Sequence, residues 1–265
     1  MLQFSILASG SSGNAIYIQT ERTRLLLDAG ISARQIRDRM RSVGVDAFHD
    51  IDAVLLTHEH VDHVRGFPQV AKQTQARVYA TEGTWHHTLA SVDEWLGPER
   101  RETVRAGEPF SVGDIRVTPF SVSHDAEEPV AYRFDADGSS LTVLTDLGYV
   151  SDTIKDIVKG CQAYVWEANH DVEMLRSGRY PWHLKRRILG DKGHLSNEDA
   201  AVALADLVGD SVMQVYLAHL SEENNLPDLA ELTVHTILKE CQPVYGDLVR
   251  LRRTSRTEAT PLNTL

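Results

Sequence analysis

The chain is 265 residues long, 42% apolar and 25% charged, the composition of an ordinary globular protein with material for one large core. No stretch approaches the roughly 20 apolar residues of a membrane-spanning helix, so no membrane partner is expected. A net charge of −11, from 27 Lys and Arg against 38 Asp and Glu, argues against a generally basic DNA-coating protein. It leaves room for a nucleic-acid enzyme whose basic residues gather on one face.

In chain order, Met1–Ala8 reads as a strand without the basic start of a signal peptide, and the cytoplasm is the expected compartment. Ser9–Asn14 is a glycine-serine turn. Its N–H groups and the side chains of Ser11, Ser12 and Asn14 suit a phosphate, and a plain hairpin turn would use the same residues. Leu25–Leu27 ends in Asp28. Ser32 and Gln35 form a capping-box pattern ahead of a helix with Ile36, Met40 and Val43 on one face. Ala53–Leu56 leads through Thr57 to His58, Ile115–Val122 to His124, and Leu141–Leu144 to Asp146. Tyr164–Trp166 ends in Glu167, and Val215–Leu217 leads to His219. Two further helices are expected: one capped by Ser196 with Ala200, Leu204 and Val208 at core spacing, the other over Pro227–Lys239. Residues 254–265 are short, polar and aperiodic, and are expected to be a disordered tail. Cys161 and Cys241 suggest neither a disulfide framework nor a thiolate metal site.

The alternation of apolar runs and helical patterns indicates an α/β protein, and residues 1–253 are expected to form a single domain. Six apolar runs end in an acidic or metal-capable side chain, and strand ends hold such groups rigidly. His58-Glu59-His60-Val61-Asp62-His63 offers four ligand-type side chains in six residues, which suits a loop serving two neighbouring cations. Nitrogen and carboxylate donors favour Zn²⁺, with Mn²⁺ or Fe²⁺ possible. The expected sets are His58, His60 and His124 for one cation and Asp62, His63 and His219 for the other, with Asp146 between them. Two such cations would hold a bridging hydroxide for attack on a phosphoryl or carbonyl centre. Asp28 is expected to orient the histidine loop through hydrogen bonds, although a strand-end turn residue would look the same.

With Asp28, His58-x-His60-x-Asp62-His63, His124, Asp146 and His219 in this order, the sequence resembles metallo-β-lactamase-fold hydrolases over residues 1–250. The resemblance implies a four-layer αββα sandwich. Ala8–Asn14, Thr145–Tyr149, Glu167–Asp171, Gly193–Asn197 and Ala218–Ser221 point within that superfamily to the YycJ/WalJ-like family. That family resembles ribonuclease Z in its metal motifs and is associated with 5′→3′ exonuclease action on DNA. It implies a role for His194, which precedes the Ser196 cap where a helix N-terminus favours an anion. His194 would assist the scissile phosphate or protonate the leaving oxygen, and Asp62 and His194 are the expected catalytic pair. The bland alternative for His194 is service to the helix cap. Glu167 and His170 are expected to support the metal ligands or face substrate.

The segment 176–187 interleaves cations and rings. Arg179, Tyr180, Trp182, Lys185, Arg186 and Arg187 suit a single strand, and a solvated basic loop is the plainer alternative. The leading expectation is therefore a two-metal 5′→3′ exonuclease acting on single-stranded DNA. A thioester or lactone hydrolase with the same metal site, and a non-catalytic nucleic-acid-binding protein, are the alternatives.

Overall fold

The computed structural model describes residues 1–265 as two compact units, each α/β. The first comprises Met1–Ser121, Ala126–Ser139 and Thr254–Leu265; the second comprises Val122–Asp125 and Ser140–Arg253.

In the first unit, β1 (Gln3–Ala8), β2 (Ala15–Gln19) and β3 (Arg24–Leu27) are antiparallel neighbours. From β3 the sheet continues in parallel through β4 (Ala53–Leu55), β5 (Arg77–Ala80) and β6 (Arg101–Thr103). Leu25–Leu27 and Ala53–Leu55 are buried throughout, which is why these strands are continuously apolar rather than alternating. The helices here are α1 (Ala33–Ser42), α2 (Val61–Val64), α3 (Phe67–Gln73) and α4 (Glu82–Thr88). α1 begins with the expected capping box, Ser32 with Gln35, and buries Ile36 and Met40. These join Leu26, Val54, Phe67, Val70, Val78 and Trp85 in one core. An antiparallel meander follows: β7 (Phe110–Val112), β8 (Ile115–Ser121) and β9 (Val130–Ala136).

The second unit contains four parallel strands, β10 (Ser139–Leu144), β11 (Ala163–Glu167), β12 (Met213–Ala218) and β13 (Val249–Arg253). Six helices accompany them: α5 (Asp152–Val158), α6 (Val172–Ser177), α7 (Trp182–Ile188), α8 (Asn197–Ala205), α9 (Pro227–Cys241) and α10 (Tyr245–Leu248). The register sets Leu144, Trp166 and Leu217 side by side, so β10, β11 and β12 end level. Trp166 is fully buried, and its indole N–H donates to Ala200 O at 3.1 Å, fastening α8 to the strands. Ser196 caps α8 at the Asp199 N–H, and α9 opens on Pro227, both as expected.

The expected boundary at residue 253 and the disordered tail do not hold. The last residues pair with β1 through β14 (Asn263–Thr264), and Ala259 and Leu262 pack against the core. Thr260 accepts twice, at its carbonyl from Ser5 Oγ (2.6 Å) and at Oγ1 from Ile6 N (2.9 Å), and its own N–H donates to Ile6 O. A segment with no periodicity of its own is thus ordered by an edge strand in need of a partner. Thr260→Ala leaves the buried Ile6 N–H without this acceptor. It should lower unfolding free energy by about 1–3 kcal/mol in urea titration; an unchanged midpoint would refute the docked tail.

Candidate metal centre

The first unit delivers its ligand-type residues from the C-terminal ends of parallel strands. Asp28 follows β3 directly, in a left-handed conformation (φ 57°) rarely adopted outside glycine. Its carboxylate organises the neighbouring loop: Oδ1 accepts from the Thr57 N–H (2.9 Å), while Oδ2 accepts from Thr57 Oγ1 (2.9 Å) and His63 Nδ1 (2.8 Å). Having donated to Asp28, the Thr57 hydroxyl accepts from His58 Nδ1 at 3.0 Å. The rings of His58 and His60 stand 4.6 Å apart, and those of His58 and His63 stand 4.1 Å apart. His60 is at the N-cap of α2, which carries Asp62 and His63 on its first turn. Asp62 Oδ2 lies 3.6 Å from His63 Nε2.

The second unit builds a matching cluster. Asp146 and His219 follow β10 and β12 with φ of 62° and 55°, and Glu167 ends β11 between them. Glu167 is fully buried and has four donors. Oε1 accepts from His219 Nδ1 (2.8 Å) and His194 Nδ1 (2.9 Å), and Oε2 from the Leu147 and Leu195 N–H groups (3.2 and 3.1 Å). Burial alone would raise its pKa, but the two imidazoles outweigh burial and hold the carboxyl at about 2. Ligand-type atoms of Asp146, Glu167, His194 and His219 all lie within 4.8 Å of one another. His124 Nδ1 donates to Gly193 O at 3.2 Å, and burial lowers the pKa of the ring. Asn169 Nδ2 donates to the His219 carbonyl at 2.8 Å, which steadies the strained turn.

One pattern runs through both clusters. His58, His63, His124 and His219 each place Nδ1 against an oxygen, leaving Nε2 as the lone-pair nitrogen. A divalent cation requires that tautomer, and metal-binding histidines are oriented by such partners. Each cluster combines imidazole nitrogens with a carboxylate, Asp62 in one and Asp146 in the other, and such donors suit zinc, so the residues present fit a divalent metal.

Other expected residues divide. Asn14 is buried and bonds to the His63 loop, whereas Ser11 and Ser12 stand exposed. Arg179, Trp182 and Arg186 are exposed and Tyr180 is half-buried. Lys185 is not a surface cation: its Nζ donates to Arg176 O (2.6 Å) and Gly178 O (2.7 Å), closing the C-terminal end of α6. Arg187 pairs with Asp125. His170 is buried, which pushes its pKa down to about 4, and its ring makes no hydrogen bond, so it orients no ligand directly. Thr57 was missed, because a hydroxyl ahead of the histidine motif carries no signal of its own until its acceptor is seen.

A family model described as a β-lactamase superfamily domain matches residues 23–220. Among solved structures, the metallo-β-lactamase fold protein YhfI from Bacillus subtilis superposes with a TM-score of 0.71 at 14% identity, covering 98% of each chain. The fold is therefore that of the metallo-β-lactamases, as the resemblance implied, and the chain is a metal-dependent hydrolase by class. The exodeoxyribonuclease YycJ of Bacillus anthracis is 44% identical over 242 residues, 90% of each chain. The exodeoxyribonuclease WalJ of Streptococcus pneumoniae is 43% identical over 263 residues, covering 98% of this chain and 97% of its own. Within the metallo-β-lactamase superfamily, the chain belongs to the YycJ/WalJ family.

Glu167→Gln keeps the shape but weakens acceptance from both imidazoles. It is expected to lower zinc affinity 10–100-fold in chelator competition; wild-type affinity would show that this carboxylate does not hold the ligands.

Proposed function

We propose that this protein is a nuclease, a two-metal phosphodiesterase degrading single-stranded DNA from its 5′ end. The observation that carries the reading is the 43–44% identity, over nine-tenths of the chain or more, to two exodeoxyribonucleases. The clusters are consistent with it, since they combine nitrogen and carboxylate donors with a further imidazole. The residues that would hold the cations are His58, His60, Asp62 and His63 of the first unit and His124, Asp146 and His219 of the second. Bound cations of this kind, Zn²⁺ foremost and Mn²⁺ or Fe²⁺ as alternatives, supply an activated water and neutralise charge on phosphoryl oxygens.

The protein's own residues then have definable tasks. Asp28, Thr57 and Glu167 keep the imidazoles in the ligating tautomer. His194 is 18% exposed, with Nδ1 on the Glu167 carboxylate. With Nδ1 held by that carboxylate, His194 Nε2 is the proposed proton donor to the leaving oxygen. Arg179, Tyr180, Trp182 and Arg186 are proposed to follow the strand, cations on phosphates and rings on bases. Trp182 supports this role because an indole 60% exposed to water has no packing function of comparable size. The 5′→3′ direction rests on likeness to the family.

A single-stranded oligonucleotide labelled at either end tests the reading. Short products from the 5′ label, abolished by chelation and reduced about 10²–10⁴-fold in His194→Ala of unchanged metal content, are expected. Trp182→Ala should mainly raise KM, by roughly 5–100-fold for a lost stacking contact. Indifference of the metal-loaded protein to every DNA, with turnover of acyl thioesters or lactones, would replace the nuclease reading with the other superfamily chemistry.

A further inference from the structure

Asn14 ends the turn after β1, and both ends of its amide are identified by their partners. The Gly10 N–H donates to Oδ1 at 2.9 Å; a backbone N–H cannot accept, so Nδ2 faces the other way. There it meets His63 Nε2 at 3.1 Å, with Asp62 O at 3.4 Å and Asp62 Oδ2 at 3.5 Å. His63 carries its proton on Nδ1, toward Asp28, so Nε2 is the acceptor. The Asn14 amide therefore donates to the lone pair that a cation would take.

The contact is built in rather than incidental. Asn14 is 6% exposed. Its N–H donates to Asp62 O and its carbonyl accepts from Gly30 N, both at 2.8 Å. Gly30 permits this approach, since a Cβ there would lie 1.6 Å from Asp62 O and 2.6 Å from Asn14 N. The turn is thus fixed by backbone bonds to the ligand loop at Asp62 and to Gly30 after β3.

Building on the metal reading above, we infer that Asn14 is an affinity-determining residue for the cation held by Asp62 and His63. Without metal, it holds His63 in the ligating tautomer by occupying Nε2. On binding, the cation displaces that hydrogen bond, so the amide lowers affinity by the strength of the bond it loses.

Zinc titration by chelator competition tests the inference on metal-stripped wild type, Asn14→Asp and Asn14→Ala, with the Tm of each metal-free protein recorded. Asn14→Asp keeps the oxygen used by Gly10 and replaces the competing donor with a second carboxylate oxygen. It is expected to bind the zinc at Asp62 and His63 about tenfold more tightly than wild type, with a lower metal-free Tm because the new oxygen faces the acceptors Asp62 O and Oδ2. Asn14→Ala is expected to bind that zinc about fivefold more tightly, as loss of one neutral hydrogen bond implies, with a lower Tm from the vacated Gly10 bond. If wild type binds zinc and neither variant binds it more tightly, the inference is overturned and the metal reading stands. If none of the three binds zinc, both are overturned.

Discussion

A cation can use a histidine only through a nitrogen that carries no proton, and that requirement governs the structure around both clusters. Asp28 in one unit and Glu167 in the other accept hydrogen bonds from Nδ1–H of His63 and His219 and so direct their Nε2 lone pairs outward. A buried carboxylate is costly unless its oxygens are matched by donors. Asp28 is matched by Thr57 and His63, and Glu167 by two imidazoles and two backbone amides. The surrounding loops follow from this: Leu147, Leu195 and Thr57, three of the residues that supply these donors, stand next to Asp146, His194 and His58.

The backbone bears a matching constraint. Asp28, Asp146 and His219 are three of four non-glycine residues with positive φ, and all three follow parallel strands. Each such residue costs on the order of 1–3 kcal/mol and persists only where its surroundings over-determine it. The turn that incurs this cost lets a strand end abruptly and sets the next side chain across the sheet edge. Buried hydrogen bonds, such as that from Asn169 to the His219 carbonyl, offset part of the strain.

Basic residues show how tertiary context redistributes what a charge count treats alike. In the segment 176–187, Lys185 closes the C-terminal end of α6 and Arg187 pairs with Asp125, while Arg179 and Arg186 remain in solvent. Arg187 keeps a side chain 55% exposed despite its ion pair, so it is the pairing and not burial that separates it from Arg179 and Arg186.

The sequence by itself determined the α/β class, the helix starts at Ser32 and Ser196, and the residues able by type to hold metal. These are local properties: apolar runs mark buried strands, caps mark helix starts, and a histidine-aspartate motif after a strand needs no distant partner to be noticed. Tertiary structure alone decided the rest. Which ring nitrogen is protonated depends on acceptors far off in sequence, as with Asp28 for His63 and Glu167 for His219. The tail is ordered by β1, some 255 residues away along the chain. Asn14 was legible as a turn residue, yet its amide faces His63 only because Gly30 lets two backbones approach. Hydrogen bonds between distant segments leave no periodicity to read, and they are what turns a set of donors into an oriented site.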